Sequence, residues 1–176
     1  MKNWYILLVV SLGSLSANVA AKDAHPIEGP TTPEARTALY ESASCLAHES
    51  AAEAGALLKL DFRKSAYRTK MERLFDNNRK CIKARWIRTN RLLVAGDLAE
   101  NLLAGSNEKV NVRIAKLAPD MILIPRTPVD GVAMCIARSD PDGVAKLFAT
   151  RVASPEEVLT AQALNLALNR CNQTGK

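Results

Sequence analysis

Cys45-Leu46-Ala47 and Cys135-Ile136-Ala137 each open a segment that closes on a second cysteine, Cys81 and Cys171, at the same separation of 36 residues. These four are the only cysteines in the 176-residue chain. Four cysteines allow three pairings, and the equal spacing favours Cys45 with Cys81 and Cys135 with Cys171, one clip per segment. Closing a loop of that length stabilises by about 4 kcal/mol in the chain-entropy treatment. With the second segment laid on the first, Leu57-Leu58 falls on Leu147-Phe148, and Leu74 on Leu164. Apolar positions and cysteines agree while exposed positions diverge, as expected of one core pattern used twice under two surfaces. Two coincidental cysteine gaps are the alternative.

Reading the cysteines as disulfides requires an oxidising compartment, and the start of the chain supplies the route to one. Lys2 is followed by an apolar run from Tyr5 to Leu15 and the small residues Val19-Ala20-Ala21. That pattern predicts a secretory signal peptide over residues 1–21, cut after Ala21, and a periplasmic or secreted product. The run is too short to span a bilayer, and no later segment approaches transmembrane length, so no membrane span is expected after signal removal. Zinc is the competing use of the cysteines; there is no C-x-x-C, and the only histidines are His25 and His48. No metal or cofactor is therefore expected.

The predicted class is all-α. Residues 22–31, with His25-Pro26 and Gly29-Pro30, read as a flexible leader, and 32–176 as a single helical domain of two related units, about 32–88 and 127–172. Thr32-Pro33-Glu34 is an N-cap, a first-turn proline and an acid, opening a helix to about His48. Further helices are expected over Ala51–Leu60 and Ser65–Ile82, and a linking helix over Arg91–Ala104, opened by Asn90, closed by Gly105 and packed between the units. In the second unit, helices are expected over Val129–Arg138 and Val144–Thr150. A long one then runs from the cap Ser154-Pro155-Glu156-Glu157 to Cys171. Its Val158, Leu159, Leu164 and Leu166 make it apolar on nearly all sides, which predicts a central position. Between the units, the alternation of Val110, Val112 and Ile114 predicts a short β-hairpin or an extended linker near 109–125.

Charge is unevenly spread. Net charge is +6, yet Lys59 to Arg91 alone holds twelve Lys or Arg against Asp61, Glu72 and Asp76. On a helical wheel, Tyr67, Met71, Leu74 and Phe75 make one stripe, with Arg68, Lys70, Arg73, Arg79 and Lys80 outside it. Lys83, Arg85 and Arg88 flank Trp86 just beyond. These nine residues, Arg68 through Arg88 with Trp86, form the candidate binding face for an acidic protein or an anionic envelope component. Export makes nucleic acid an awkward partner. The plainer reading is a solvated face over a core stripe.

Other candidates are weaker. His48 three residues after Cys45 fits a helix end, and Ser139-Asp140-Pro141-Asp142-Gly143 fits capping better than a calcium loop. No catalytic signature is present, and a hydrolase site of unfamiliar pattern stays open as the alternative. The Cys-bounded arrangement over roughly 37–172 resembles a group of uncharacterised small exported bacterial proteins. It is also loosely similar to helical, disulfide-bonded periplasmic immunity proteins. Either resemblance implies a non-enzymatic binding or envelope role and carries no site residue with it. Oligomeric state is not legible.

Overall fold

The computed structural model describes residues 32–88, 91–120 and 124–174; the expected signal peptide and leader lie outside them. All regular structure among the described residues is helical. The first helix, α1 (Pro33–Glu49), is capped by Thr32, whose hydroxyl accepts from Ala35 N at 3.2 Å. It buries Leu39, Ala43, Leu46 and Ala47, positions spaced three and four apart on one face. Two of the four are alanines, which lets a second backbone approach closely. That partner is α4 (Arg91–Ala104), whose Val94, Ala95 and Leu98 are buried against α1.

Two shorter helices close the sides. After α2 (Ala51–Leu58) comes a turn and then α3 (Ser65–Asn77), which buries Tyr67, Met71, Leu74 and Phe75 as its sequence stripe predicts. This helix stops earlier than the expected Ile82. Asn78 is buried, donates to Leu74 O at 2.9 Å and accepts from Ser50 Oγ at 3.1 Å, so its side chain ends the helix and ties it to the α1–α2 corner. The chain continues as two 3₁₀ turns, Arg79–Cys81 and Arg85–Arg88. Cys81 in the first is fully buried and bonded to Cys45 of α1.

The expected hairpin or linker is instead a helix, α5 (Val110–Asp120). Val110 and Ile114 are four apart as well as alternating with polar residues, so the same letters satisfy a helical stripe; Ile114 is buried and Val112 is exposed. Arg113 decides between the patterns by donating to the carbonyls of Leu102 and Leu103 at 3.1 and 2.7 Å, which satisfies the open C-terminal end of α4. The apolar run at 121–123 lies outside the described residues.

The second half holds α6 (Pro128–Ser139), α7 (Pro141–Phe148), α8 (Pro155–Ala163) and α9 (Asn165–Thr174). Each of the first three starts at a side-chain cap. Thr127 and Asp130 make a reciprocal capping box, Asp140 accepts from Gly143 N at 2.8 Å, and Ser154 accepts from Glu157 N at 3.2 Å. The second disulfide, Cys135–Cys171, joins α6 to α9. The expected long helix is broken at Leu164, the C-cap of α8, where Leu164 N bonds the carbonyl of Ala161 at 3.1 Å. Nor is it central: Val158, Leu159 and Leu166 are 52, 67 and 67% exposed, because α8 packs mainly on α7 and α9 and reaches α1 through Glu157, while the described part of α9 is buried at Ala167 and Cys171.

Among the described residues, the large buried cluster lies in the first half. It runs from Leu39 to Leu98, whereas Ile114, Val144, Ala167 and Cys171 are the buried apolar residues described beyond it. The linking helix α4 packs most extensively on α1, touches α2 and α5, and shares a cleft with Val152 and Glu157 of the second half.

Candidate functional site

The basic face expected from the sequence separates into two flanks of α3. Arg68, Glu72 and Asp76 recur every four residues on one flank, and Lys70 and Arg73 lie three apart on the other. The two acids are already engaged. Arg88 donates to Glu72 and Asp76 at 3.0 Å each, Arg91 donates to Glu72 at 2.7 Å, and the Arg88 guanidinium lies 5.5 Å from the centre of the Phe75 ring. That position commits Arg88 to holding the 3₁₀ turn against α3 rather than to an outside ligand. Lys80 pairs with Glu49 at 2.7 Å and Lys83 with Glu41 at 2.5 Å, both with α1. Such surface pairs contribute about 0–1 kcal/mol each but neutralise the two lysines. The side chains of Arg85 and Trp86 lie outside the described part.

What remains is Arg68, Lys70, Arg73 and Arg79, joined by Lys64 in the turn before α3. All five are exposed, and none has a carboxylate partner among the described residues. Sequence reasoning counted Lys64 in the basic segment but not in the face; its place at the N-cap of α3 is what adds it.

A second concentration of chemistry was missed. Asp97 and Glu100 lie three apart on α4, beside the α1–α4 seam, and line a cleft of about 380 Å³ with Arg36, Gly96 and Glu157. Burial pushes Asp97 up to about 6, with Arg36 opposing and Glu157 adding to the rise. It pushes Glu100 up to about 7, helped by the Asp97 charge and opposed by the neighbouring Tyr40 phenol. The only signal in the sequence is two acids at helical spacing inside an apolar helix. Among the described residues, no Ser, Thr, Cys or His lines this cleft.

His48 is exposed in the last turn of α1, 3.7 Å from Glu49, and the Asp140 segment is a helix cap. Among the described residues, no group of three or more His, Cys, Asp or Glu is placed to hold a metal ion, and no helix is long and apolar enough to cross a membrane. The chain matches no family model, no curated protein and no solved structure.

Proposed function

We propose that the chain is an exported, non-enzymatic binding module that contacts an anionic envelope component through the basic surface of α3 and the turn before it. One observation carries this reading: five exposed cations without carboxylate partners among the described residues, three on α3 with Lys64 and Arg79 just beyond its two ends, while the acids of α3 are held by Arg88 and Arg91. The two disulfides fit an oxidising compartment. An acidic protein is the alternative occupant of the same surface.

Vesicle co-sedimentation tests it. The oxidised protein should bind vesicles of anionic phosphatidylglycerol over neutral phosphatidylcholine, lose binding as salt is raised, and lose it on reversing Arg68, Lys70, Arg73 and Arg79 to Glu. An unchanged melting temperature shows that the reversed variant is folded. Equal binding to neutral vesicles, or binding that survives the reversal, would contradict the reading. Binding to an acidic protein but not to the vesicles would transfer the surface to that partner.

A second reading rests on Asp97 and Glu100, two carboxyls raised towards neutrality in one cleft, where one can hold its proton while the other is ionised, as acid/base hydrolysis needs. With no Ser, Thr or Cys among the described residues lining the cleft, such chemistry would use water directly. Hydrolysis of envelope material abolished by Glu100→Gln would establish it; no turnover by the wild type would end it.

The second half is, in the same proposal, a diverged copy of the first. Both begin with a proline-started helix bearing the first cysteine and continue with an eight-residue helix. Resemblance to small exported bacterial proteins of this cysteine pattern belongs with that proposal.

A further inference from the structure

Two helix N-termini open onto one cleft of about 340 Å³: Lys64 and Arg68 belong to the start of α3, Arg91 and Leu92 to the start of α4, and Phe62 forms a wall. Neither helix has an acid in its first turn, and Lys64 at the α3 N-cap offers no side-chain acceptor to the open backbone N–H groups. The positive ends of two helix dipoles therefore share the space with cations. Arg63 is occupied by Asp61, donating through Nε at 3.0 Å and Nη2 at 2.9 Å, and Arg91 by Glu72. Lys64 and Arg68 are left uncommitted.

Tyr67 is the independent observation. It lines this cleft, is 5% exposed, and its hydroxyl is the one buried side-chain nitrogen or oxygen among the described residues that lacks a hydrogen-bond partner. Side chains lean towards the N-terminus of their helix, so the Tyr67 hydroxyl reaches back to the end of α3 where the cleft lies. Arg91, across the cleft, is the charge that acts on it. A buried donor is rarely left open without a reason.

We infer that this cleft binds a phosphate group, with Lys64 and Arg68 as countercharges and the Tyr67 hydroxyl and first-turn N–H groups of α3 as donors. A phosphate can accept from cations, a hydroxyl and backbone N–H groups at once, which suits this mixed donor set better than a carboxylate with two oxygens. Phe62 and Leu92 supply apolar surface for whatever carries the phosphate. The inference rests on the proposed binding function and gives it a ligand chemistry. Free phosphate and a phosphodiester lipid headgroup are the two sources of that chemistry.

Titration of the full oxidised protein with inorganic phosphate, followed by backbone NMR shifts, is the test, with phosphatidylglycerol vesicles as a second arm. Wild type is expected to bind phosphate saturably, with Arg68→Gln abolishing binding and Tyr67→Phe weakening it about tenfold. Tyr67→Phe should at the same time raise the ligand-free melting temperature, because it deletes an unsatisfied hydroxyl. A tyrosine with a purely structural role would not lower affinity while gaining stability. Lys70→Gln with Arg73→Gln, outside the cleft, should leave phosphate binding unchanged. If phosphate competes with vesicles and Tyr67→Phe weakens both, the headgroup is a source. If Tyr67→Phe weakens phosphate alone, the ligand is a free phosphate compound. No phosphate binding by wild type, or binding unchanged in Tyr67→Phe and Arg68→Gln, would overturn the inference. Vesicle binding still lost with Lys70 and Arg73 would then leave the broader basic-surface reading standing, and its absence would remove both.

Discussion

Arg36 of α1 and Glu157 of α8, 121 residues apart in sequence, meet at 2.7 Å and pin the second half of the chain to the first. Their charges act in opposite senses on Asp97 of the neighbouring α4, so this joint contains four titratable groups of mixed sign. Its behaviour with pH follows from their burial.

Asp97 and Glu100 have folded-state pKa values of about 6 and about 7, above the ordinary carboxylate range reached on unfolding. The folded chain thus holds protons that the unfolded chain has released, and the stabilisation this gives is present at low pH and lost as pH rises through the folded values. Asp97→Asn with Glu100→Gln should leave stability nearly unchanged below the unfolded values, at about pH 3.5, and raise it increasingly up to about pH 8. The gain should be about 1 kcal/mol per site after allowance for partial exposure. Thermal melts of both proteins across that range check the sign; a variant less stable at pH 8 contradicts it.

The large buried cluster of the described residues lies in the first half, so substitutions in the two halves should differ in cost. Phe75→Ala should cost about 3–5 kcal/mol and Leu46→Ala about 2–5 kcal/mol, since both side chains are fully buried. Leu159→Ser and Leu166→Ser should stay within about 0.5 kcal/mol, against the central role their apolar sequence implies. Denaturant titration gives all four values.

Removing Cys135 and Cys171 should loosen α6 and α9 selectively, because few buried apolar residues are available there to replace the crosslink. Hydrogen exchange of the Cys135→Ala, Cys171→Ala variant should rise in α6–α9 and remain slow in α1 and α4. Uniform loss of protection would mean that the halves fold as one cooperative unit.

Glycines separate into two kinds. A Cβ at Gly55 or Gly96 meets open space, so alanine at either should stabilise by about 0.5–1 kcal/mol through helix propensity. At Gly143 a Cβ would collide with the Asp140 carboxylate that caps α7 and would lie 2.7 Å from Leu164 Cδ2, so Gly143→Ala should destabilise. Melting temperatures of the three variants decide the matter.

The helical class, both disulfides and the caps at Thr32, Asp140 and Ser154 were legible because each is a local rule: cysteine spacing, or a short side chain before a proline. Tertiary choices were not. Val110, Val112 and Ile114 fit two periods at once, and only Arg113 reaching the end of α4 selects the helix. The apolar letters of α8 and α9 suggested burial, yet burial needs a partner layer that the sequence does not reveal. The basic segment was visible as composition. Which cations remain unpaired depended on Glu41, Glu49, Glu72 and Asp76 arriving from α1 and α3.

Mapping backbone NMR shifts of the oxidised protein on titration with short-chain phosphatidylglycerol micelles asks where the chain binds an anionic surface. The expected result is shifts concentrated at the first turns of α3 and α4 and along Lys70 and Arg73, disappearing in high salt. Shifts centred instead on the exposed apolar residues Val158, Leu159 and Leu166, or none at any salt, would contradict binding through the basic surface.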